Sequence, residues 1–246
     1  MQTNTAGEVR LSRYKAWDLP TRLFHWINLL LVLLMMTIGG VMMFKSDFGI
    51  SGLDAKIGLK TLHVWIGYAF AINLAFRLLW GLFGPIKARL GKLLPKKGEL
   101  AGYRAALKKG ENPQYLGHNP AGKLAVIALF GLLTLIMVTG LVRAGTDIFY
   151  PPLGGMVQEY IAADGVEPAS LKPYDDTGVN PDKAAAIKGA KGLAGKVHVY
   201  SVYLLLLLIL LHIVAVIHAE RKRQPGIISA MFSGNKYLPT TPVDKD

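Results

Sequence analysis

The 246-residue chain has no cysteine. That absence removes disulfides, thiolate-held iron–sulfur clusters, zinc ribbons and any haem attached by thioether bonds. A redox metal centre here must use histidine, methionine or carboxylate. Acidic residues are scarce too: 16 Asp and Glu stand against 28 Lys and Arg, a formal net charge of +12. Charge of either sign amounts to 18% of the chain, whereas 52% is apolar and the mean hydropathy is +0.34. Such a balance does not suit an ordinary soluble domain. A basic excess can mark a nucleic-acid binder. Here most of the lysines and arginines flank long apolar runs, which is the pattern of membrane orientation, so no nucleic acid is expected as partner. Internal repeats and low-complexity tracts are missing as well.

What the chain does have is four long apolar runs, at about 23–44, 61–83, 123–142 and 197–219. Each holds roughly 20 residues or more, enough for a helix to cross ~30 Å of hydrocarbon. Helices are required because lipid offers no partners to backbone polar groups. The first run is too long for a secretory signal and no small-residue cleavage site follows it, so it reads as retained. The expected fold is an all-α integral membrane four-helix bundle, a single domain over residues 1–246.

The flanking charges orient it. Residues 1–22, 84–122 and 220–246 carry 17 Lys or Arg and 7 Asp or Glu, whereas 45–60 and 144–196 carry 8 and 9. The positive-inside rule puts both termini and the 84–122 loop in the cytoplasm of a bacterial inner membrane. The basic inner loop has a helical pattern near Glu99–Lys109 and reads as a contact for anionic lipid headgroups. The outer loop, 144–196, is long, polar and rich in turn residues. It is either a solvated connector or a docking lid.

Six histidines remain to be explained: His25, His63, His118, His198, His212 and His218. One intramembrane histidine is readily an interhelical hydrogen bond, but several in geometric relation indicate function. His198 and His212 are fourteen residues apart on one run. At ~100° per residue they come within ~40° of one face, and at 1.5 Å per residue they sit ~21 Å apart in depth. His218 turns to the opposite face and reads as interfacial. Depth matching pairs His63 with His198 on the outer side and His25 with His212 on the inner side. Each pair can clamp a planar macrocycle, and haem iron takes two axial imidazoles readily. Structural zinc, which wants four convergent ligands, fits less well. Arg22 and Arg77 on the inner side and Lys196 on the outer side are candidate partners for haem propionates. Glycines within the spans suit either a flat ligand or close helix packing. His118, in the sequence GHNP, is a candidate donor to a quinone carbonyl, with packing as the plainer reading.

Several stretches carry a family resemblance. AWDLPTRLFHW at Ala16–Trp26, RLLWGLFG at Arg77–Gly84, GHNPAGKL at Gly117–Leu124 and IISAMFSGNKY at Ile227–Tyr237 resemble the nickel–iron hydrogenase b-type cytochrome subunits. That family is a branch of the bacterial dihaem cytochromes b, related to the membrane subunits of respiratory formate dehydrogenases. The resemblance covers almost the whole chain. It implies four spans, two non-covalent haems b with His25, His63, His198 and His212 as axial ligands, and electron exchange between quinone and a redox partner protein. The competing expectations are a self-contained oxidoreductase, such as a quinone-reducing superoxide oxidase or a metal reductase, and a non-redox transporter. The transporter ranks low because the spans show no inverted repeat.

Overall fold

The computed structural model describes residues 11–245. In chain order the elements are strand β1 (Ser12–Lys15), helices α1 (Leu19–Met43), α2 (Leu53–Phe83), α3 (Glu99–Lys108), α4 (Pro120–Ile148), α5 (Gly154–Ile161), α6 (Pro181–Lys222) and α7 (Ile227–Ser233), and strand β2 (Asn235–Leu238). The fold is all-α, and α1, α2, α4 and α6 are long and apolar enough to cross a membrane. Large apolar side chains such as Leu30, Ile72, Phe83 and Leu210 are exposed on them. In a bilayer this costs nothing, because the surrounding lipid is as apolar as the side chain.

Two of these helices outrun their apolar cores. α2 begins at Leu53 and α6 at Pro181, so the connection read from sequence as 144–196 shortens to 149–180. Hydropathy marks only the part of a helix that suits lipid, whereas good helix formers and a cap extend it into water. For α6 the cap is Asn180: its Oδ1 accepts from Asp182 N and Lys183 N at 3.1 Å each, ahead of Pro181 in the first turn. α4 opens in the same way, with Asn119 Oδ1 accepting from Gly122 N at 2.8 Å just before Pro120.

The chain forms two compact units. The first comprises residues up to Trp26, Phe76–Phe130 and the chain from Leu207 on. Here β1 and β2 pair antiparallel, Ser12 opposite Leu238 and Lys15 opposite Asn235. Gly234 ends α7 at φ +80°, a conformation that glycine adopts without strain. Its carbonyl accepts from Ala16 N at 2.8 Å and Trp17 N at 3.1 Å, joining the two ends of the chain. Ala16, Trp17, Leu116 and Ala230 form the core below. The tail then fixes the loop before α4. Asp244 accepts from Leu116 N (2.5 Å) and Gly117 N (2.7 Å), and buried Lys236 donates to the carbonyls of Tyr115 (3.1 Å) and Gly117 (3.4 Å).

The second unit comprises Ile27–Ala75 and Gly131–Leu206. Val64, Ala144 and Ile148 make one core cluster, flanked by Tyr68 and Tyr150. The segment between α4 and α6 is no bare connector. It carries α5 and a core of its own, Ile161, Ala162 and Leu171, against which Val157, Val166 and Val179 pack. Tyr68 Oη donates to the Pro151 carbonyl at 2.5 Å and ties the segment to α2.

Candidate functional site

In the second unit α2 and α6 bring His63 and His198 opposite each other. Their ring centroids are 6.4 Å apart and the rings are nearly perpendicular, at 77°. Two metal–imidazole bonds of about 2.0–2.1 Å and the radii of the two rings add up to roughly 6 Å, so this spacing fits one metal ion between the rings. Contact between the rings themselves would need no such gap. His198 Nδ1 lies 3.1 Å from the Ile136 carbonyl and 3.1 Å from Thr139 Oγ1. That anchors the ring by one nitrogen and leaves Nε2 for a ligand bond, the usual arrangement of a metal-bound imidazole.

Glycine makes the room. A Cβ on Gly140 would stand 3.2 Å from His198 Cε1, and one on Gly39 would stand 3.6 Å from His63 Cε1. A side chain at Gly140 would crowd the His198 ring, whereas one at Gly39 would reach ordinary contact with His63. Met35, Gly67 and Ile136 line the same cavity as His63, Gly140 and His198. His63 Nδ1 is buried and has no hydrogen-bond partner among the described residues. An interhelical hydrogen bond therefore does not account for this ring.

In the first unit His25 on α1 lies within electrostatic reach of His212 on α6. His25 Nδ1 is again buried without a hydrogen-bond partner among the described residues. Arg77 is 5% exposed, with its guanidinium 5.2 Å from the centre of the Phe130 ring and 6.0 Å from that of Phe24. Its Nη1 is buried with no hydrogen-bond partner among the described residues. A cation so placed is costly unless an anion joins it. Arg22 faces elsewhere: it donates to the Phe232 carbonyl and lines a cavity with Arg13, Lys15 and Gly234. Among the described residues, no three His, Cys, Asp or Glu side chains converge to hold a metal ion.

The remaining sequence candidates are also located. His118 packs against Trp17 with ring centroids 4.8 Å apart and the rings tilted by 50°. Burial, then the nearby Lys236 and Arg77, hold its pKa down to about 4, so the ring is neutral at physiological pH. The contact with Trp17 agrees with the packing reading of this residue. His218 is exposed, and so is Lys196. The cations that gather near His63 and His198 are Lys60, Arg143 and Lys191, all on Asp147. In the sequence Lys60 and Arg143 merely flank apolar runs and Lys191 lies in a polar stretch, where a lone charge is unremarkable. The i, i+4 spacing of Arg143 and Asp147 was the one signal available.

The family description for prokaryotic cytochrome b561 matches residues 16–234. The chain belongs to this family. No curated protein and no solved structure matches it. Membership makes the chain a membrane b-type cytochrome that carries electrons and binds b-type haem. The spacing at His63 and His198, the glycines beside them and the open ring nitrogens fit that group.

Proposed function

We propose that this cytochrome holds two haems b, one between His63 and His198 and one between His25 and His212, and passes electrons through them between quinone and a redox partner protein. The observation that carries the reading is the 6.4 Å gap between the His63 and His198 rings. The fourteen-residue spacing of His198 and His212 on one helix supports a second, separate site. A haem held there would supply a one-electron couple. The chain's own residues position and insulate: His198 is held through Nδ1, the glycines leave the flat space, and the apolar spans exclude water.

Arg77 is the propionate partner at the His25–His212 site, because its unpaired Nη1 asks for an anion inside an apolar span. The charge asymmetry read from sequence supports a cytoplasmic side for both termini and for the His25–His212 site. The 149–180 segment then faces outward and offers Met156 and Tyr160, both exposed, to a redox partner.

The decisive experiment is a haem count on the purified chain, with extraction by acid–acetone. Two haems per chain, both extractable, are expected. One haem per chain, or haem that stays with the polypeptide, overturns the proposal. A serine at both Met156 and Tyr160 should slow electron exchange with the native partner while leaving both haem spectra intact. Unchanged exchange would remove the docking role.

A further inference from the structure

Asp147, the penultimate residue of α4, carries an unusual load. Its side chain is 3% exposed. Oδ2 meets Lys60 Nζ at 2.7 Å and Arg143 Nη2 at 2.5 Å, and Oδ1 meets Lys191 Nζ at 3.2 Å. Three cations against one carboxylate leave an excess of two positive charges. Gathering like charges at the edge of an apolar bundle is unfavourable through both repulsion and lost hydration. A clamp joining α2, α4 and α6 would need one or two of them. The surplus needs another explanation.

The place of the cluster supplies one. Lys60 lies one turn before His63 on α2, about 4.5 Å along the axis. Arg143 lies one turn beyond Gly140, the residue against which the His198 ring rests. Lys191 precedes His198 by two turns on α6. All three helices bring their cations to the same end of the His63–His198 site. The arrangement is also built, not loose. The Arg143 guanidinium fills the space where a Cβ on residue 195 would be, and that residue is Gly195. Lys191 Nζ is held on the Thr146 carbonyl at 2.9 Å, and Lys60 Nζ on Tyr174 Oη.

We propose that Lys60, Arg143 and Lys191 form a dicarboxylate site for the two propionates of the haem held between His63 and His198, with Asp147 as the internal anion that keeps the three cations gathered. The excess of two positive charges equals the charge of two propionates. The inference rests on the His63–His198 haem proposed above. It also gives Tyr174 a purpose: this residue couples the 149–180 segment to the same lysine, so the segment closes over the propionate end of the site.

The test uses the full-length, haem-loaded protein, produced on 5-aminolaevulinate labelled with 13C at its carboxyl carbon, which labels the haem propionates alone. Redox titration of Lys60→Gln, Arg143→Gln and Gly195→Ala should move one haem component to lower potential. That component should be the one that His198→Ala removes. Redox-difference infrared spectra of the same variants should show the labelled carboxylate bands shifted. Lys188→Gln, an exposed lysine of the same helix, should change neither readout. If the labelled bands stay in place in Lys60→Gln and Arg143→Gln, the cluster is a helix clamp and the proposal fails, even if thermal stability falls. If instead the wild type shows no component removed by His198→Ala, the haem assignment itself has failed, and that outcome is seen before any cation is changed.

Discussion

The two units treat their paired histidines differently. Around His63 and His198 the chain provides a measured gap, small residues beside both rings and a cluster of cations already gathered on an internal carboxylate. Around His25 and His212 it provides one buried arginine between two phenylalanines, and invests its polar bonds in a loop and tail that lock to each other. In the second unit three cations gather on one carboxylate. In the first, the Arg77 Nη1 has no hydrogen-bond partner among the described residues, and the loop and tail bond through the backbone. The difference teaches that one helix can present two imidazoles and still set two environments. The placing of the imidazoles follows from the span sequence, but local charge follows from what neighbouring helices and loops bring.

The largest expected effect separates the sites themselves. His198→Ala should lose one of two haem components and His212→Ala the other, so each variant keeps about half the haem of the wild type. Pyridine haemochrome spectra on monodisperse protein give the amount, and redox titration gives the identity. If both variants lose the same component, the two-site comparison is broken. His218→Ala should keep both, since that residue is exposed.

Removing the internal carboxylate comes next. Asp147→Ala leaves three cations facing each other, and breaking a buried ion pair from one side costs about 3–5 kcal/mol. The partial exposure of Arg143 and Lys191 reduces that figure, so the expectation lies at its lower end. Thermal unfolding of the purified protein should show a clear fall. No change would mean that the cluster does not hold the helix ends.

A smaller effect sharpens the contrast at the rings. Gly140→Ala puts a methyl 3.2 Å from His198 Cε1, whereas Gly131→Ala meets nothing within 4 Å. Overpacking of this kind costs about 1–3 kcal/mol. The low-spin ferric resonance of one haem should shift in Gly140→Ala, and both should stay in place in Gly131→Ala. An identical spectrum for the two variants would separate the glycine from the site.

The smallest effect is a pH dependence in the first unit. His118 is held down to about 4 by burial and by nearby cations, against 6.5 when unfolded. Between those values the unfolded chain binds the proton and the folded one does not, so stability falls as pH drops from 6.5 towards 4 and is unaffected above that window. His118→Leu should flatten this slope in hydrogen exchange of the 112–118 loop. An unaltered slope would assign the acid sensitivity to another group.

Much of this was open to reading in the sequence. The spans, the short helix near Glu99 and the four intramembrane histidines follow from apolar length, period and spacing, all of them local quantities. The start of α6 was not, because Pro181–Lys196 is too polar for hydropathy and its helix depends on the Asn180 cap and on packing beneath α5. The antiparallel pairing of Ser12–Lys15 with Asn235–Leu238 joins segments from opposite ends of the chain, and nothing local in either segment announces it. Lys196, chosen from sequence for its nearness to His198, is exposed, and the cations actually gathered near the site come from three helices.

By itself, then, the sequence determined that the chain is a membrane protein of four spans with histidines of matching period, because lipid solvation and helix geometry act residue by residue. Only the tertiary structure decided that His63 and His198 stand 6.4 Å apart, that glycines clear the space beside them, and that three lysine and arginine side chains share Asp147. Each of those depends on the separation between helices, which is set by packing among residues far apart in the chain.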